Sequence, residues 1–344
     1  MKAVMKENAG AGLVLREVKE PSPAAGEVLL KVRAASICGT DVHIYNWDRW
    51  AESAVKPPRI LGHEFTAEVA DLGKGVVGWK KGDLVSVESH IPCLECYQCK
   101  NGFMHICDRL KIIGIDTDGG FADYVAVPQV CLWKIDSRLP LETATVLEPL
   151  GNAVHAVSAV DVAGKSAVVF GCGPTGLFVT RVLKAVGAGK IACVDINAMR
   201  LELARSCGAT ELFPGDATDL PDRLRAWSGG YGADVVFEMS GSKAGLTNGL
   251  SSLKKGGTLI AFGLSRQPIE VDVSNQVIMT GRKIVGIVGR LMFDTWKKMA
   301  AMIEEGRLDP RPVVTHKFRM DQIDEAMKTI SQPNAKVGKV MLVP

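Results

Sequence analysis

SAVVFGCGPTG, residues 166–176, reads as a strand, a tight turn and the start of a helix. Ser166–Phe170 is an almost continuous apolar run, as expected of a parallel strand covered on both faces. It leads directly into Gly171-Cys172-Gly173-Pro174-Thr175-Gly176, a G-x-G-x-x-G. Alone, that match is weak; between a strand and a helix it has the context a dinucleotide-binding turn requires. Gly171 permits the turn, Gly173 lets backbone approach a pyrophosphate, and Gly176 lets helix and strand pack closely. The free N–H groups at the helix start favour phosphate. A second strand, Ile191–Val194, is followed by Asp195, about 20 residues past the glycines. A carboxylate there accepts hydrogen bonds from ribose hydroxyls and repels a 2′-phosphate, so NAD is expected over NADP. Arg200, one turn further, is a candidate for the adenosine side.

Outward from this turn the alternation continues. Thr175–Val186 and Ala198–Cys207 have helical spacing; Ala233–Glu238, Thr258–Phe262 and Lys283–Ile287 read as strands. The expected layout from 151 onward is doubly wound α/β. Before about residue 145 the texture differs. Short strands such as Glu27–Ala34 and Asp83–Glu88 are broken by Gly and Pro, which suits a β-rich domain with long loops. At the far end, Thr295–Glu305 and Met320–Ser331 read as helices, and Val313–Phe318 and Lys339–Val343 as strands.

The chain has 344 residues, enough for two domains. A formal net charge of +3 gives no reason to expect nucleic acid or a membrane surface as partner. The N-terminus lacks the apolar run of a signal peptide, and a cytoplasmic protein is expected. Of the nine cysteines, four form Cys93-x2-Cys96-x2-Cys99-x7-Cys107. In a reducing compartment such spacing favours Zn²⁺ over disulfides. Four thiolates leave no position for substrate, so this zinc would be structural.

A second set is dispersed: Cys38 in CGTDVH with Thr40 and His43, His63 and Glu64 in GHE, and Glu148 in EP. Each alone has a structural explanation, and spacing does not link them. Together with the four-cysteine loop and GCGPTG, they occur in the order found in the medium-chain zinc-dependent alcohol dehydrogenases, which the whole chain resembles. Longer stretches strengthen the resemblance: CGTDVHIYNWD at 38–48, EPLGNAVH at 148–155, EMSG at 238–241 and GIVGRLMFDTW at 286–296.

The resemblance implies a GroES-like β-rich catalytic domain, 1–150 and 295–344, enclosing a Rossmann NAD-binding domain, 151–294. It implies Cys38, His63 and Glu64 as ligands of a catalytic zinc, with Glu148 on or beside it, and Cys93, Cys96, Cys99 and Cys107 on the structural zinc. Thr40 and His43 match a proton relay. Thr175, Asp195 and Arg200 match NAD contacts, as do Phe262, Gly263 and Leu264, and Gly286 and Ile287. His90 is a candidate for substrate discrimination, and Arg290 for the substrate's carboxylate. A homotetramer is expected on the same ground. One departure is Cys131, where relatives tend to carry Asn.

The implied chemistry is oxidation of a secondary alcohol. Zn²⁺ acts as Lewis acid at an open position, and NAD accepts the hydride. Thr40's hydroxyl both accepts and donates, and His43, an imidazole, can deliver the proton to solvent. The long stretches favour L-threonine, oxidised at C3 to 2-amino-3-oxobutyrate, a β-keto acid that can lose CO₂ to give aminoacetone. A polyol or 2,3-diol is the near alternative; a non-catalytic zinc- and NAD(H)-binding redox sensor is the distant one.

Overall fold

A computed structural model of the chain describes residues 1–332 and 335–344. It contains two compact units. The first comprises Met1–Pro149, residues 314–332 and Lys339–Pro344; the second comprises Leu150–Val313 with residues 335–338.

The first unit is built on a seven-stranded sheet. Its centre is Glu27–Ile37, long and alternately apolar, paired antiparallel with Glu64–Leu72 on one side, with Tyr124–Pro128 along its first half and with Lys339–Val343 along its end. Leu84–Val87 and Leu132–Lys134 extend one edge; Val314–Arg319 runs parallel to Lys339–Val343 at the other. Late sequence is thus inserted beside an early strand, as expected for a split domain. The register is set by alternation: Val28, Leu30, Val32 and Ala34 are buried, and a shift by one residue would expose them.

The strands do not account for the whole unit. Gly39–Asn46 is a helix, N-capped by Cys38 and closed by Trp47 in the left-handed region at φ 53°. A buried ammonium anchors it: Lys6 Nζ donates to the carbonyls of Gly10 and Gly12 at 2.5 and 2.7 Å and lies 5.1 Å over the Trp47 ring. Burial lowers this amine to about 8.

The second unit is a six-stranded parallel sheet in the order Glu211–Pro214, Lys190–Asp195, Ser166–Phe170, Ala233–Glu238, Leu253–Ala261, Lys283–Gly286. Counted within the unit this is 3-2-1-4-5-6, the doubly wound order whose reversal opens a crevice at the carboxyl ends of strands 1 and 4. Phe170 pairs with Val194 on one side and Glu238 on the other, so the loops after all three emerge together. Val168, Phe170, Val194, Phe213, Val236 and Leu259 form the core on one face. Ala167, Val169 and Phe237 are equally buried, which fits the continuous apolar runs of a covered parallel sheet.

The glycine-rich helix is Pro174–Ala185, one residue earlier than its spacing suggests. Pro174 occupies its first turn, where a missing N–H costs nothing. The expected boundary at 295 also differs. Asp294–Glu304 is a helix of the second unit, burying Trp296, Met299 and Met302, and that unit continues to Val313. Helical periodicity does not reveal which core a helix joins. Among the described residues no helix is long and apolar enough to cross a membrane.

Candidate active site

Cys93, Cys96, Cys99 and Cys107 gather their sulfurs within 4.8 Å of one another. Cys93 and Cys99 are 4.0 Å apart and Cys96 and Cys107 3.8 Å. A disulfide needs about 2.05 Å, whereas a zinc tetrahedron with bonds of about 2.3 Å has edges of about 3.8 Å. The set therefore fits zinc and not disulfides. Peptide N–H groups point at the sulfurs: Cys93 and Arg109 donate to Cys107, and Cys96 donates to Cys93. The N–H groups of Glu95 and Cys96 hold the Cys93 thiol down at about 6, and burial pushes Cys99 up to about 12. A metal that replaces the protons of all four removes that imbalance.

Cys38, His63 and Glu64 also bring their ligand atoms within 4.8 Å of one another. They come from a helix cap, a turn and a strand start, which is why spacing does not join them. Asp41, fully buried in the first turn of the 39–46 helix, completes the group. Its Oδ2 accepts the Cys38 N–H at 2.8 Å, and its Oδ1 lies 3.8 Å from His63 Nδ1. Neither Asp41 Oδ1 nor His63 Nδ1 has a hydrogen-bond partner. Burial alone would lower the imidazole, but Asp41 foremost, then Cys38 and Glu148, push it to about 10. Burial likewise pushes Asp41 up to about 6. A thiol and several carboxylates around one buried imidazole create a demand for a cation, and the donor set suits zinc.

Glu64 is 1 % exposed and also has a second attachment. Both its oxygens accept from Lys339 Nζ at 2.7 Å, and Ser36 Oγ donates to Oε2. Glu148 lies outside the cluster of mutually close ligand atoms. Its Oε1 accepts from Ser89 Oγ at 2.6 Å, yet its charge reaches His63 and Lys339.

Thr40 and His43 stand three apart on the 39–46 helix, which puts them on neighbouring positions of one face. Thr40 Oγ1 lies 3.7 Å from Cys38 Sγ. His43, partly exposed, is held through Nδ1 by Asp48 Oδ2 at 2.5 Å, with Trp50 edge-on to its ring. His90 is buried, and Glu88 Oε1 accepts both its N–H and its ring Nδ1, at 3.0 and 2.8 Å. Cys131, fully buried, packs on the same segment: its thiol contacts the His90 carbonyl at 3.6 Å, and Glu88 N–H donates to its carbonyl. Burial raises this thiol far above its ordinary range, so it acts as a small neutral side chain.

In the second unit a cavity of about 530 Å³ opens at the switch point. Gly171, Gly173, Asp195 and Arg200 line it, with Met239, Ser240 and Ser242 opposite. Gly171 has φ 91°, and a Cβ on Gly176 would sit 1.9 Å from the Gly171 carbonyl, so neither position accepts a side chain. Asp195 Oδ2 accepts from Cys172 N–H at 2.6 Å and Oδ1 from Asn197 N–H at 2.8 Å. Its remaining lone pairs are left for ribose hydroxyls. Thr175, Gly176, Phe262–Leu264 and Gly286–Ile287 are not part of the lining, and Leu264 is almost fully exposed. Replacing Asp195 by Ala should lower the preference for NAD over NADP, measured as a ratio of kcat/KM, by about 10- to 100-fold, the range of a lost charged hydrogen bond. An unchanged ratio would remove Asp195 from coenzyme recognition.

Arg290 is buried in this unit. Its guanidinium donates to Asn152 Oδ1 at 2.8 Å, and its stem passes over Gly151, where a Cβ would meet Cδ at 2.5 Å. His155 Nδ1, one turn on, bonds the neighbouring Gly289 carbonyl at 2.9 Å.

Sequence reading missed Asp41, Lys339, Ser36, Glu88 and Ser89. Asp41, within the quoted CGTDVH, could have been found; Lys339 carries no signal, because its partner is 275 residues away.

Residues 24–137 match the family described as alcohol dehydrogenase GroES-like domain, and 174–305 that described as zinc-binding dehydrogenase. The chain is 43% identical to an L-threonine 3-dehydrogenase of Bacillus velezensis, over 100% of this chain and 99% of the relative. Among solved structures, a short chain alcohol dehydrogenase of E. coli CFT073 complexed with NADH superimposes with TM-score 0.92 at 26% identity, covering 100% and 99% of the two chains. The 2R,3R-butanediol dehydrogenase of Bacillus subtilis gives 0.89 at 28%, with the same coverage.

Proposed function

We infer the function from the family to which this chain belongs, the zinc-binding alcohol dehydrogenases and, within them, the L-threonine 3-dehydrogenases: it oxidises the C3 hydroxyl of L-threonine with NAD. The observation that carries the redox chemistry is the convergence of Cys38, His63 and Glu64 beside the Thr40–His43 helix face. The choice of threonine rests on the full-length likeness, which is higher to threonine dehydrogenases than to the diol dehydrogenase.

In this reading Cys38 and His63, with Glu64 or Glu148, would hold the catalytic zinc, and Cys93, Cys96, Cys99 and Cys107 the structural one. When bound, the catalytic zinc supplies Lewis acidity at the alcohol and NAD takes up the hydride. The chain's own part is to remove a proton from a buried place. Thr40 accepts it at Oγ1 while donating its own onward. His43 delivers it to solvent, its ring held by Asp48 so that it stays at the surface. Asp41 keeps His63 and Cys38 oriented from behind. The substrate's ammonium would be met near Glu148, and His90, fixed by Glu88, would discriminate among alcohols; Arg290, buried in the second unit and bonded to Asn152, is not available to the substrate's carboxylate. The product, 2-amino-3-oxobutyrate, can lose CO₂ to aminoacetone.

A homotetramer remains the expected assembly. Its support is the open edge of the parallel sheet, where Ile278, Met279, Ile284 and Val288 expose apolar surface around strand Lys283–Gly286. A cytoplasmic setting is favoured by the free state of all nine cysteines.

The deciding assay mixes zinc-loaded protein with NAD and follows NADH with L-threonine, D-threonine, sorbitol or 2,3-butanediol. L-Threonine should give by far the highest kcat/KM, with aminoacetone accumulating. Turnover of a diol or polyol with threonine inert would keep the zinc and NAD reading and overturn the substrate.

A further inference from the structure

Glu238 ends strand Ala233–Glu238 at the switch point and is 2 % exposed. A buried carboxylate in that place needs an explanation, because burial pushes it up from its ordinary range. Its hydrogen bonds supply one. Oε1 accepts the N–H of Ser240 at 2.9 Å, the Ser240 hydroxyl, and the N–H of Gly241 at 3.1 Å; Oε2 accepts the Gly241 N–H at 3.2 Å. Its own carbonyl accepts the N–H groups of Phe262 and Gly263, each at 3.0 Å. One residue therefore fastens two loops after adjacent strands.

The packing is too close to survive movement of either loop. A Cβ on Gly263 would lie 2.1 Å from Gly241 N and 2.7 Å from Glu238 Oε2. A Cβ on Gly171 would lie 2.9 Å from Ser240. The turn braced by Glu238 is thus pressed against the glycine-rich turn. Ser240, with its proton committed to Glu238, turns its lone pairs toward Ser242, whose N–H it accepts at 3.1 Å. Ser242 caps helix Lys243–Ser252 by accepting the Gly245 N–H at 2.9 Å. Met239, Ser240, Ser242 and Gly245 all line the dinucleotide cavity, whereas Glu238 does not.

We propose that Glu238 is a positioning residue for the coenzyme: its carboxylate, acting as acceptor, sets the Met239–Ser242 wall of the cavity against the glycine-rich turn. The role is hydrogen-bond acceptance, so charge is dispensable. In Glu238→Gln the amide oxygen, placed at Oε1, keeps the Ser240 and Gly241 donors. Glu238→Ala removes the acceptor of the half-buried Gly241 N–H and of the Ser240 N–H, and frees the Ser240 hydroxyl.

The test is the Kd of NADH for the full-length zinc-loaded protein, read by NADH fluorescence without any alcohol. It is therefore independent of which substrate the enzyme takes. Glu238→Ala should weaken NADH by about 10- to 100-fold and Glu238→Gln by no more than about 3-fold. In turnover, KM for NAD should rise in the Ala variant while zinc content and kcat at saturating NAD stay within about 3-fold. Should Glu238→Ala fail to fold, Ser240→Ala, which loses only the hydroxyl link, should still weaken NADH by about 3-fold or more. A wild-type Kd in a folded Glu238→Ala, or in Ser240→Ala if that is the variant measured, overturns the proposal. So does a Gln variant as weak as Ala, which would mean that charge and not acceptance matters. Inactivity on L-threonine with the graded Kd pattern intact would count against the substrate alone.

Discussion

Replacing Cys38 by Ser should lower kcat by about a thousandfold or more while leaving one zinc per subunit in place of two. The size follows from what is lost. Lewis-acid stabilisation contributes several kcal/mol to such a reaction, and each 1.36 kcal/mol is about tenfold in rate. Serine keeps the shape but not the soft anionic sulfur that zinc selects. The four-thiol loop is separate in sequence, so its metal should stay. Metal analysis of the purified variant beside its kcat separates the two sites. Retention of both zincs with wild-type turnover would exclude Cys38 from the metal. The geometry adds a proton count. With His63 held near 10 in the metal-free protein, it carries a proton at neutral pH. Zinc uptake by the apoprotein should therefore release protons and strengthen as pH rises.

The largest stability effect is expected at Lys339. Lys339 and Glu64 are 2 % and 1 % exposed. Removing one partner of such a pair leaves an uncompensated charge and costs about 3–5 kcal/mol. Lys339→Met should lower the thermal midpoint by about 10 °C, and adding Glu64→Gln should recover part of it. If the single variant melts like wild type, the pair has no structural weight. The pH dependence follows from both groups. Burial pushes the Glu64 carboxyl up, but Lys339 and then His63 hold it below its ordinary value of 4.5. Its contribution is complete above that value and is lost as pH falls through the folded one. Burial would lower Lys339, but Glu64 raises it above 10.5. That contribution is complete below 10.5 and lost as pH rises through the folded value. Between about 5 and 10 the pair therefore stabilises in full. In Lys339→Met only His63 and Ser36 are left to oppose the burial of Glu64, so its carboxyl should titrate higher and the deficit should shrink toward acid as it takes up a proton.

These two residues also mark the limit of reading by sequence. The doubly wound unit was legible because its signals are local: an apolar strand, three glycines and an acidic residue at the end of the next strand. Phe170, Gly171, Gly173 and Asp195 line one cavity, and Gly176 lets the helix close on the strand beside it. The four-thiol loop was legible for the same reason. Cys38, His63 and Glu64 were legible only as a family resemblance, since a cap, a turn and a strand carry no common period. Lys339 was not legible at all: in sequence it is one lysine at the start of an apolar strand, and only the sheet order brings it to Glu64. The helix at Asp294–Glu304 was found but given to the wrong unit, because amphipathic spacing states that a face is buried and not against what.

Strand Lys339–Val343 lies between Glu27–Ile37 and Val314–Arg319, and this has a consequence for biosynthesis. A ribosome releases Cys38, His63 and Glu64 long before the lysine that neutralises Glu64. Until then Ala35–Ile37 of the central strand lacks its neighbour on that side, and the nascent module holds a carboxylate without its lysine. The loop from Cys93 to Cys107 needs nothing so distant and can take its metal as it emerges. The order of synthesis therefore leaves the four-thiol loop complete early, and the surroundings of Glu64 complete only when the last strand is made.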